Sequence, residues 1–175
     1  MPPVNTPAPA REWETATQPE TLLDIVQRGS PAYLAFIAPN LRRFACWCAR
    51  DAGAAEAGAI PYRVLHAAEK AADGQLPMRL LAAERHSASD IARAAGTIGL
   101  RHRHWTAAVQ LAAIQTADPD ALDAARGAVH YAALAAVLRN GEPAGIVRRI
   151  RLAAALRFFV ANPFTRDAIG RPSVA

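Results

Sequence analysis

Alanine fills about a quarter of this chain, and nothing else in the sequence narrows the fold as much, because alanine is the strongest helix former. No stretch alternates apolar and polar residues between turn signals, as a half-buried strand would. The expected fold is therefore all-α, a single-domain antiparallel helical bundle of about six to eight helices. At 175 residues the chain can bury a full core without disulfide or metal support. Hydrophobic residues make up 52% and charged residues 20%, too apolar for intrinsic disorder. No apolar run reaches membrane-spanning length.

Helix punctuation divides the chain. Thr17 with Pro19 and Glu20 reads as a capped start, followed by Leu22, Leu23 and Val26 and a stop at Gly29. Ser30-Pro31 opens a second helix, which Pro39-Asn40 should interrupt and restart so that Leu41, Phe44, Ala45 and Cys48 face inward. A Gly and Ala loop spans 53–58. A third helix opens near Pro61, carries Ile60, Val64, Ala68 and Ala71 on one face and ends at Gly74, with a short helix expected over Leu76–Arg85. Ser87 and Asp90 form a capping-box pattern ahead of a long central helix from Ile91 to Thr116, in which Gly96 and Gly99 would mark close helix contact. Asp118-Pro119 caps the next, whose stripe is Leu122, Ala125, Val129, Ala133 and Ala136 and which ends at Asn140-Gly141. Pro143 opens the last long helix, with Ile146, Ile150, Ala154 and Phe158 as its stripe, and Asn162-Pro163 caps a final turn. The expected organisation is a Pro-rich disordered segment over 1–16, a helical domain over 17–168 and a flexible tail over 169–175. The N-terminal residues carry neither charge nor a hydrophobic stretch in the pattern of a signal peptide or anchor. Cys46 and Cys48 point to opposite sides of a helix and cannot pair with each other, which fits a reducing cytoplasm.

Candidate chemistry is sparse. Arg101-His102-Arg103-His104-Trp105 resembles a metal or base-stacking site, but at 100° per residue His104 points about 200° away from His102. His66, Glu69 and Asp73 share one helical face, yet a di-metal bundle needs a second carboxylate and histidine set, and around His130 stand Arg126, Gly127, Ala133 and Leu134. Cys46-Trp47-Cys48 has no second cysteine pair for zinc and is read as core packing. Catalytic, cofactor and metal residues are therefore assigned to none. The formal charge of +5 admits acidic partners, but only one of the 20 basic residues, Lys70, is lysine, a bias typical of a GC-rich genome. Within the last long helix Arg148, Arg149, Arg151 and Arg157 surround the axis instead of forming a stripe, and with Arg139 they are expected to pair with acidic residues.

Three stretches carry a resemblance: Arg11-Glu12-Trp13 with Thr17-Gln18-Pro19 and Leu22-Leu23; Leu41 through Arg50 around the two cysteines; and Val64–Gly74 with its Ala-Ala-Glu-Lys-Ala-Ala-Asp-Gly. With the closing Asn162-Pro163-Phe164 they resemble a family of uncharacterised Ala-rich helical domains from GC-rich bacteria, over about residues 11–166. The middle portion is also similar to immunity proteins of bacterial toxin systems. The family's adjacent cysteines and following arginine pair are here split by Trp47 and reduced to Arg50. The resemblance implies no enzymatic residue. The lack of a convergent polar constellation points to a cytoplasmic, non-enzymatic protein that binds another protein, and the resemblance implies an immunity-type partner of a toxin or effector. Candidate contacts are Trp13, Arg101, Arg103, Arg148 and Arg149, taken as exposed. The alternatives are a nucleic-acid-binding protein using surface arginines and a metal-dependent or thiol enzyme.

Overall fold

The computed structural model describes residues 8–55, 57–95, 104–160 and 163–164. Among these it holds eight helices and no strand: α1 (Ala8–Thr15), α2 (Pro19–Gln27), α3 (Pro31–Asp51), α4 (Ala59–Ala72), α5 (Met78–Ala94), α6 (Trp105–Gln115), α7 (Ala121–Asn140) and α8 (Glu142–Phe159). The expected all-α bundle is the observed architecture. Residues 1–7, the tail from 169, Gly96, Gly99, Arg101, His102, Arg103 and Asn162 lie outside the described residues.

Most helix ends follow their local chemistry. The Ser30 hydroxyl accepts the Tyr33 amide at 3.1 Å ahead of Pro31. Asp120, two residues past the expected Asp118, caps α7 by accepting the Leu122 and Asp123 amides at 2.7 and 3.0 Å. Gly141 turns the chain from α7 into α8 at φ +84°, a conformation side chains rarely adopt.

Other expectations fail for identifiable reasons. Pro39 does not interrupt α3, which runs through it. Pro39 and Ala35, whose carbonyl loses its i+4 donor, are both exposed, so water can satisfy the freed acceptor. Gln18, not Thr17, precedes α2, and no side chain caps it. Ser87 is no cap but lies within α5, exposed, where its hydroxyl accepts from Arg63 at 3.3 Å. Nearby Ser89 bonds back to the Arg85 carbonyl at 2.8 Å, the arrangement by which serine is tolerated inside a helix. The short helix over Leu76–Arg85 and the start of the long central one are thus one helix, α5. The remainder of that central helix is α6, which begins afresh after His104, an extended residue whose ring accepts the Thr106 amide. Residues 8–15, expected to be disordered, form α1.

The core has two parts. One gathers Leu22, Leu23, Val26, Ile37, Phe44 and Cys48 with Ala128, Val129, Leu152 and Leu156. The other gathers Cys46, Val64, Leu65, Leu81 and Val109 with Ala112 and Ala135. Helices α3 and α7 supply both parts, and the two cysteines of α3 face one each. Small residues let the helices approach closely. A Cβ added at Gly127 would meet the Gln115 side chain at 2.7 Å, and one at Gly145 would meet Val137 Cγ2 at 2.3 Å.

Helix α8 reverses its expected orientation. Its covered side is Gly145, Leu152, Ala153 and Leu156, whereas Ile146, Ile150 and Phe158 of the expected inward stripe are 55%, 49% and 87% exposed. Gly145 and Ala153 allow the close approach that the bulkier stripe would prevent.

Candidate functional site

The elbow where α7 meets α8 concentrates arginine and tryptophan. Gly141 and Gly145 fold α8 back tightly on α7, which brings Arg139 at the end of α7 beside the first two turns of α8. The Arg139 guanidinium lies over the Trp105 ring, 4.7 Å from its centroid, at the start of α6. Arg151 lies over Trp47 of α3 at 5.7 Å. Between them Arg148 donates to the Asp51 carbonyl at 3.0 Å and pairs with the Asp51 carboxylate, which Arg151 also meets at 2.7 Å. Burial, then the neighbouring Arg151 charge, holds the Arg148 guanidinium below its ordinary value.

Two openings adjoin these groups. A cavity of about 370 Å³ is lined by Ala136, Asn140, Pro143, Val147, Arg148 and Arg151. A smaller one of about 40 Å³ is lined by Trp105, Arg139, Asn140 and Arg148 among small residues. They share Ala136, Asn140 and Arg148, and the larger opens onto Val147, which is 67% exposed and adjoins the outward stripe of α8. Among the described residues Arg139 has no carboxylate partner, and Arg148 and Arg151 share Asp51, so three arginines at the elbow outnumber its two acids, Asp51 and Glu142.

Of the expected contact residues, Trp13 is a correction. It is 4% exposed and packs in the first core part. Arg157 fastens that end of α1 by donating to the carbonyls of Trp13 at 2.7 Å, Glu14 at 3.3 Å and Ala16. Arg148 is at the elbow but largely occupied by Asp51, and Arg149 pairs with Glu20 of α2 at 3.2 Å. Arg101 and Arg103 fall outside the described residues. Trp47, Trp105 and the outward side of α8 were missed.

The other candidate chemistry disperses. Glu69 is held by Arg50 through bonds of 2.7 and 2.8 Å, Asp73 by Arg43 at 2.9 Å, and His66 stacks on Tyr62. Among the described residues no three His, Cys, Asp or Glu side chains are grouped to hold a metal ion. Burial pushes the Cys46 thiol up to about 12 and the Cys48 thiol well above its ordinary value, so both stay protonated near neutrality and neither is a ready nucleophile. A cavity of about 480 Å³ between α3, α4 and the start of α7 has Arg42 in its wall. That buried guanidinium already donates to the carbonyls of Thr116, Asp118 and Pro119 at 2.8, 2.7 and 3.0 Å, which closes the end of α6 and engages most of its polarity. No helix among the described residues is long and apolar enough to cross a membrane.

No protein-family model, no curated protein and no solved structure matches this chain.

Proposed function

We propose that this protein acts by binding another protein, as an immunity-type partner of a toxin or effector, through the outer face of α8 and the adjoining elbow, and that it works in the cytoplasm without catalysing a reaction. The observation that carries the reading is the exposed set Ile146, Val147, Ile150 and Phe158, four large apolar side chains on one side of one helix. Scattered exposed apolar residues are ordinary, but a contiguous patch rimmed by polar groups is typical of an interface. Arginine and tryptophan beside it are the residue types on which binding energy tends to concentrate. The resemblance to immunity proteins agrees with this reading.

The test is a differential capture from native lysate with three baits: the unaltered chain, a Val147→Asp, Phe158→Asp variant, and a Phe36→Ser variant altered at an exposed apolar site of α3. A protein retained by the first and third baits but lost from the second supports the reading. Co-expression should then show the captured protein to be harmful alone and harmless beside the unaltered chain. Identical retention by all three baits, or an empty capture from all three, overturns it.

A further inference from the structure

Resting on the α8 reading, we infer that the segment received there is an acidic amphipathic helix of a protein partner, with apolar side chains along Ile146, Val147, Ile150 and Phe158 and a carboxylate placed between Arg139 and Arg148. The stripe steps by four residues from Ile146 through Ile150 and Ala154 to Phe158, a length of about 18 Å along the axis, which suits the i, i+3, i+4, i+7 anchors of a docked helix.

Charge selects the occupant. Among the described residues Arg139 engages only the Trp105 ring, while Arg148 and Arg151 divide the single carboxylate of Asp51. Glu142, at the elbow end of α8, has no ion-pair partner among the described residues, and with Asp51 it leaves the three arginines in excess by one. The 40 Å³ opening between Arg139, Asn140 and Arg148 has the size and donors for one carboxylate, and it continues into the larger cavity beside Val147. A second copy of the chain fits poorly. A two-fold pairing along α8 would bring up only another α8, whose charged residues other than Glu142 are all arginines, on a chain whose net charge is already +5. A nucleic-acid backbone would answer the arginines but leave four large apolar side chains uncovered.

The probes are two synthetic helical peptides with the same leucine face, one flanked by glutamate and one by arginine, and a short DNA duplex, read by fluorescence anisotropy at about 50 mM and about 500 mM NaCl. The glutamate peptide is expected to bind at least about tenfold more tightly than the arginine peptide at low salt, and to lose most of that margin at high salt. Arg139→Gln should weaken the glutamate peptide about threefold to tenfold and leave the arginine peptide unchanged. Phe158→Ser, at a side chain 87% exposed, should weaken both peptides without affecting the fold. Equal binding of the two peptides, both lost with Phe158→Ser, overturns the acidic partner while leaving the α8 face as a binding site. Failure of both peptides, or tighter binding of the duplex than of either, overturns the inference as well. The lysate capture stands apart from this outcome and decides the α8 reading separately.

Discussion

Helices α7 and α8 follow one another across a single glycine, and both carry apolar residues around most of their circumference, yet they end in opposite circumstances. In α7 the apolar residues are alanines on almost every side, and they are covered almost everywhere, because the helix stands between both parts of the core and against α6, α3 and α8. In α8 one side is covered by Gly145, Leu152, Ala153 and Leu156, and the other presents Ile146, Val147, Ile150 and Phe158 to solvent. An apolar side of a helix is expected to be covered. Helix α7 obeys this within the chain, whereas the outward apolar side of α8, set among its arginines, is left exposed by the described fold. The sizes of the residues agree: small ones where neighbouring helices come close, large ones where none does.

The sharpest way to break this comparison is to truncate the two sides of α8 in turn. Leu152→Ala empties a fully buried position and should cost about 3 kcal/mol. Ile150→Ala, two residues away on the outward side, should cost less than about 0.5 kcal/mol. Chemical denaturation of both variants checks the contrast. If the two losses were equal, the stripe of α8 would be core and the site built upon it would disappear.

How much of this could be read beforehand differs from helix to helix. Ser30, Gly74 and Gly141 mark their boundaries through local backbone chemistry, and the inward set of α3, Leu41, Phe44, Ala45 and Cys48, has a single apolar face to choose from. Helix α8 offers two, and periodicity alone cannot rank them. The bulkier stripe faces outward, and Gly145 with Ala153 carries the signal for the covered side, since small residues mark close approach. The start of α6 was hidden because histidine is an uncommon cap, while Ser87 and Asp90 imitate a helix start inside α5. At the elbow the resemblance and the charge pattern reached Arg148, but Arg139 over Trp105 and Arg151 over Trp47 arise only when four helices converge. No spacing along the chain encodes that.

The two parts of the core can be compared through the thiols of α3, Cys48 facing the α7 and α8 side and Cys46 the α4 and α6 side. Burial raises both in the folded chain, to about 12 for Cys46, from an unfolded value near 9.0. The folded state therefore holds its protons where the unfolded state has released them. Stability from this source is fully present below about pH 9 and falls as pH rises above it. Denaturation series between pH 8 and pH 10, below the range where buried Tyr33, raised from 10.0 to about 12, adds its own loss, should show this decline, shallower in either single Cys→Ala variant than in the unaltered chain, each compared with its own stability at pH 8. A decline unchanged in both variants would mean that the thiols are not the buried groups responsible, and that the two core parts are not sealed around α3.

The smallest effect on stability carries the most information about function. Phe158 is 87% exposed and touches the fold mainly through the edge of Phe159, at 5.7 Å between ring centroids. Phe158→Ser should therefore move the unfolding free energy by no more than about 0.5 kcal/mol in either direction. It also removes the largest apolar group from the exposed side of α8, so concentrated solutions of the variant should show less self-association by light scattering than the unaltered chain. A side chain that adds almost nothing to folding and yet lowers solubility has no reason within the monomer to be phenylalanine. A loss of 2 kcal/mol or more would instead place Phe158 in the folding core, shortening the stripe to its first two turns.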